Sequence, residues 1–171
     1  MAYLRATARL ISVLILFTMP AIAMAAELPL VRFDAPEGKA FEVLIEGQVQ
    51  SVSLAEIEGL GVYRTKTTSP WEAGEFIFEG PLLADVVAYI GLGDAAAIRV
   101  RAIDGFTVEI PREDWLSGPA MLATRRDGAL LTRRDQGPVR MVYPRLAHPA
   151  FADPVYQSRW IWLIASIEAV N

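Results

Sequence analysis

The sequence predicts a mixed α/β (α+β) domain made of several short sheets and a few short helices. Three observations carry this. Short β-prone runs recur between Gly, Asp-Gly and Pro turn signals, helical patterns are brief, and no strand–helix–strand alternation repeats along the chain. The missing alternation argues against a doubly wound nucleotide-binding sheet.

At the start, Arg5 and Arg9 precede an apolar run at residues 10–17, and small residues follow at Ala21, Ala23, Ala25 and Ala26. This is the pattern of a secretory signal peptide. The run is short for a membrane span, which needs about 20 residues, so an uncleaved anchor is the lesser alternative. Cleavage is expected after Ala25, with Ala23 as the second choice, leaving residues 26–40 as an N-terminal extension and 41–171 as a single domain. After cleavage no transmembrane segment is expected. Arg5 and Arg9 are not adjacent, so the signal reads as the Sec type, which threads an unfolded chain.

Residues 41–52 form two β-prone runs around Gly47, a hairpin pattern. Ser53 with Glu56 then matches a capping box, which predicts a short helix from Leu54 to Gly59 or Gly61. A strand follows over residues 62–66. Residues 64–83 come next and combine hydroxyls, cations and Trp71 before a turn, then a short apolar strand that enters a helix. Leu82, Leu83, Val86, Val87 and Ile90 share one helical face, with Gly91 just beyond. Residues 98–103 and 106–110 flank Asp104-Gly105, a strong hairpin signal. A helical turn is expected at residues 112–115, and a second hairpin from 121–124 and 129–132 around Asp127-Gly128. A brief strand lies within 137–144, an irregular Pro-bounded segment follows, and residues 160–170 read as the closing strand.

The full chain has a formal net charge of −4, one histidine and no cysteine. Loss of Arg5 and Arg9 with the signal makes the mature chain more acidic still, which argues against nucleic acid as a partner. A domain of this length buries about two-thirds of its surface and holds a core without disulfides. Export together with an absence of thiols fits a periplasmic location. The composition removes Cys-ligated zinc, iron–sulfur clusters and thiol catalysis, and leaves His148 alone for any histidine chemistry.

Among charged residues, Arg125, Arg126, Arg133 and Arg134 flank hairpin ends and read as a solvated face. Arg140 differs, because it sits between Val139 and Met141 in an apolar strand. A guanidinium there needs either a carboxylate partner or a bound anion. His148 reads as a packing or loop-fixing residue, with an acid–base role the alternative, Asp104 as the turn residue of its hairpin, and Glu113 and Asp114 as neighbours pointing apart on a helix. Trp71 stands among polar residues at a turn, unlike Trp115, Trp160 and Trp162, which read as core or rim.

Several blocks, in order, carry a family resemblance: Ile45-Glu-Gly-Gln-Val49, Thr67-Thr-Ser-Pro-Trp71, Phe78-Glu-Gly-Pro-Leu82, Ala102-Ile-Asp-Gly-Phe106 with Ile110-Pro111, Asp127-Gly128, and Gly137-Pro-Val-Arg140 with Tyr143-Pro144. Across roughly residues 41–168 the chain resembles the oxidoreductase molybdopterin-binding domain, the sulfite-oxidase fold, in its small exported bacterial form. The resemblance implies molybdopterin as the possible cofactor. In catalytic members the metal is held by a pterin dithiolene and one cysteine thiolate, often in a Cys-x-x-x-Trp pattern. Here the matching position is Thr67, four residues before Trp71, so the metal-ligating thiolate is missing. A threonine alkoxide would need strong activation to replace it.

The resemblance places Thr67, Thr68, Trp71, Asp104 and Arg140 around the former cofactor mouth. The expected function is binding of a small anionic ligand, or of a periplasmic or membrane protein partner, without molybdenum redox catalysis. The alternatives are a molybdopterin-dependent oxidoreductase with Thr67 as an oxygen ligand or with no protein ligand, and an accessory subunit of a membrane-bound sensor or redox system.

Overall fold

The structure, a computed structural model, describes residues 28–170. The expected signal peptide lies outside the described residues. No described helix is long and apolar enough to cross a membrane.

Two five-stranded sheets and one two-stranded ladder make up the domain. The first sheet contains β1 (Leu30–Val31), β4 (Val62–Thr68), β5 (Glu75–Gly80), β9 (Arg125–Arg126) and β10 (Ala129–Leu130), in that spatial order. The second has the order β3 (Gln48–Ser53), β2 (Lys39–Ile45), β12 (Ile164–Val170), β6 (Ala97–Ala102), β7 (Thr107–Pro111). Between them β8 (Met121–Ala123) pairs with β11 (Arg140–Val142). The N-terminal extension thus contributes an edge strand, with Leu30 opposite Tyr63.

The β2–β3 hairpin closes through Glu46 and Gly47, both at positive φ, the twist that a two-residue turn between right-twisted strands demands. Ser53 caps α1 (Leu54–Gly59) with both halves of the capping box formed. Helix α2 (Leu83–Tyr89) buries Leu83, Val86 and Val87, the face read from the sequence. Asp104 closes the β6–β7 hairpin by accepting the Phe106 N–H at 3.0 Å.

Two expectations fail in detail. Residues 121–123 do not pair with 129–132; they pair with β11, and the small hairpin around Asp127-Gly128 is formed by β9 and β10. The turn was legible, but β8 is buried at all three positions and needs an equally buried partner, which the apolar 140–142 run supplies. The closing strand also starts later, at Ile164, because Leu163 takes a positive φ and Trp160 and Ile161 pack inward as non-strand residues.

The core joins the sheets through Phe41, Val43, Phe78, Ile98, Val100, Met121, Leu122, Met141 and Ile167. Asp114, on α3 (Glu113–Leu116), is buried below it and accepts hydrogen bonds from the Tyr143 hydroxyl and from Arg159 Nη1, both at 2.7 Å. Burial raises the Asp114 pKa, and these two partners act against the rise. His148 packs beside Phe151, with ring centroids 4.7 Å apart, as a packing residue would.

Candidate functional site

Strand alternation sets the site's inner wall. In the first sheet Thr67 lies opposite Phe76, Thr65 opposite Phe78, and Phe78 opposite Arg126. Directly opposed residues share a face, so Thr65, Thr67, Phe76, Phe78 and Arg126 project to one side. The other side carries Arg64, Glu79 and Arg125, also in register. There Arg125 forks onto Glu58 at 2.9 and 3.1 Å, and Arg64 meets the fully buried Glu79 at 3.1 Å. Arg125 is therefore not part of a solvated face; it closes a buried ion pair.

Arg140 comes down from β11 onto Phe78, its guanidinium carbon 5.0 Å from the ring centroid. Its side chain is 1% exposed, and among the described residues Nε, Nη1 and Nη2 all lack a hydrogen-bond partner. Burial lowers its pKa to about 10, partly offset by Glu72 and reinforced by the charge of Arg126. It therefore remains a cation at neutral pH. A shift of that size corresponds to a penalty of order 3 kcal/mol for keeping the charge inside.

Among the described residues, the carboxylate that meets it belongs to Glu72, on the irregular segment between β4 and β5. Glu72 Oε2 stands 3.6 Å from Arg140 Nη1, beyond hydrogen-bonding distance, and has no hydrogen-bond partner of its own. Its Oε1 accepts from Arg126 Nη1 at 3.2 Å. Arg126 lies over Phe76 at 4.0 Å and keeps its outer edge partly open to solvent. Two guanidiniums thus face one carboxylate, and the inner guanidinium is left unsatisfied.

Trp71 directly precedes Glu72 in the chain. It is 56% exposed and meets Trp162 edge-on at 6.4 Å. With Asp104, Phe106, Trp160 and Trp162 it lines a cleft of about 420 Å³. The structure therefore brings Trp71 and Asp104 to one cleft, which Arg140 does not line. Thr67 and Thr68 are not among the residues lining that cleft.

Residues 37–152 match the family model described as the oxidoreductase molybdopterin binding domain. The chain belongs to this family. No curated protein matches it. The several short sheets and few short helices of this molybdopterin-binding domain agree with the sulfite-oxidase-type fold expected from sequence.

The residues of this molybdopterin-binding domain do not fit the metal. Thr67 is fully buried, and its hydroxyl accepts the Arg145 N–H at 2.9 Å. That hydroxyl's proton faces the carbonyls of Thr68 and Tyr143 at 3.4 and 3.5 Å. The oxygen is committed to tying β4 to the segment after β11. Among the described residues, no group of three or more His, Asp or Glu is arranged to hold a metal ion.

If Thr67 is structural, Thr67→Val should lower unfolding stability by about 1–3 kcal/mol, because it strands the Arg145 N–H. Thr67→Ser should stay near wild type in the same urea titration. Equal stability of all three proteins would remove this role.

Sequence reasoning missed Glu72 and Arg126. Glu72 carried one usable signal, an acidic residue directly after an exposed Trp at a Pro turn. Arg126 carried none, since its partners become visible only once β5 and β9 are paired.

Proposed function

We propose that this is an exported, periplasmic member of the molybdopterin-binding domain family that does not run molybdenum redox chemistry and instead binds a small oxyanion at Arg140 and Arg126. The observation that carries the reading is Arg140: a charged, buried guanidinium with three nitrogens lacking any hydrogen-bond acceptor. Burying such a group is costly, and a bidentate oxyanion would offset that cost. The enclosed Thr67 hydroxyl and the absence of cysteine support the loss of metal chemistry. The N-terminal pattern of Arg5, Arg9 and the short apolar run supports export.

The test titrates the mature protein with sodium sulfate and with sodium phosphate at constant ionic strength, read by calorimetry. Saturable binding that disappears in Arg140→Met is the expected outcome. Binding unchanged in that variant would remove Arg140 from the site. Protein recovered from the periplasm is assayed separately for molybdenum and for pterin fluorescence after denaturation. Stoichiometric metal and pterin would overturn the non-redox reading.

A further inference from the structure

The geometry points to Glu72 as an internal anion that occupies the oxyanion's place between Arg126 and Arg140, and to the segment from Ser69 to Gly74 as the gate that an incoming oxyanion must displace. This rests on the anion-binding reading above and adds to it a control element.

The pairing between Glu72 and Arg140 is incomplete in a particular way. A carboxylate meeting a guanidinium without constraint makes two short hydrogen bonds at about 2.7–2.9 Å. Here the carboxylate is divided between two arginines, reaching Arg126 at 3.2 Å and stopping 3.6 Å from Arg140. The segment holds it short of the inner donors, so Glu72 Oε2 and all three Arg140 nitrogens remain without partners. Two guanidiniums face the Glu72 carboxylate; the exposed Asp127 stands 4.0 Å from Arg126, and the charge of Arg126 also reaches the exposed Asp135. A tetrahedral oxyanion has enough oxygens to serve both guanidiniums at once, which one carboxylate on a tether does not.

The segment is built so that it can leave. It has no helix or strand; its internal tie is the Trp71 N–H to Ser69 Oγ bond at 3.1 Å. It ends at Gly74 with φ +108°, a backbone conformation that glycine adopts without strain. Trp71 holds the outer side through its edge contact with Trp162 in the aromatic cleft. Withdrawal of Glu72 therefore moves an exposed tryptophan, and oxyanion binding becomes optically visible.

Glu72→Gln and Glu72→Asp test the gate. Gln removes the competing charge; Asp keeps the charge but draws it back by one methylene. Sulfate and phosphate affinities are measured by calorimetry for wild type and both variants, alongside sulfate-dependent tryptophan emission and limited proteolysis of the 69–74 segment. The expected result is at least tenfold tighter sulfate binding in Glu72→Gln, a smaller gain in Glu72→Asp, and sulfate-dependent cleavage of the wild-type segment. Equal affinity in wild type and both variants would overturn the gate and leave the anion site standing. No saturable binding in any of the three proteins would overturn both. Should Glu72→Gln fail to fold, Glu72→Asp alone decides the comparison.

Discussion

Gly80→Ala should lower the unfolding free energy by about 3 kcal/mol or more, close to the upper range for overpacking a core. A β-carbon at Gly80 would lie 2.2 Å from the Leu122 carbonyl oxygen and 2.8 Å from the Ala123 Cα. Both atoms belong to backbone, so no side chain can turn aside. The strands around Gly80 are held together by the Thr124 N–H donating to the Glu79 carbonyl at 2.9 Å and the Leu122 N–H donating to the Pro81 carbonyl at 3.0 Å. Admitting a methyl group means stretching these bonds or tilting β5 away from β8. Because β5 carries Phe78 beneath Arg140, anion affinity should fall along with stability. A urea midpoint equal to wild type would show that the strands yield freely and that the close approach is not a constraint.

Arg140→Met should act in the opposite direction, raising stability by about 1–3 kcal/mol while abolishing oxyanion binding. Methionine fills similar space over Phe78 without a charge to desolvate, and Glu72 keeps its bond to Arg126. The pH dependence follows from the lowered pKa. From about pH 10, the folded value, up to the ordinary guanidinium range, the unfolded chain binds more protons than the native one, so stability attributable to this residue rises with pH across that window. Below it the penalty is fully present, and it is there, at neutral pH, that the methionine variant gains. Denaturant titration at pH 7 measures the difference. A loss of stability would mean that the guanidinium has a native acceptor after all.

Most of the fold was legible because its signals are local. The capping box at Ser53, the Asp104-Gly105 turn and the apolar face of α2 each depend on residues within a few positions of one another, and each forms where the sequence places it. The β8–β11 ladder was not legible, since its strands are separated by the whole β9–β10 hairpin and both are buried too completely to show alternation.

The site followed the same rule. Arg140 could be singled out because a charge inside an apolar strand is anomalous by itself. The two readings left open for it, a carboxylate partner or a bound anion, could not be separated from sequence. The structure shows why: a carboxylate is nearby but does not complete the pair. Arg126 becomes a site residue only through cross-strand register, which local pattern does not show, and Glu72 only through the irregular segment, for which its place after Trp71 at the Pro turn is the one local signal.

The strand order of the second sheet bears on when the domain can form. Its central strand is Ile164–Val170, parallel to β2 and antiparallel to β6. The β2–β3 hairpin and the β6–β7 hairpin, each able to close locally, have no sheet to join until those late residues arrive. Native contacts of such wide sequence separation form slowly and late. During vectorial synthesis the two earlier hairpins therefore remain separate until Ile164–Val170 arrives to join them into one sheet.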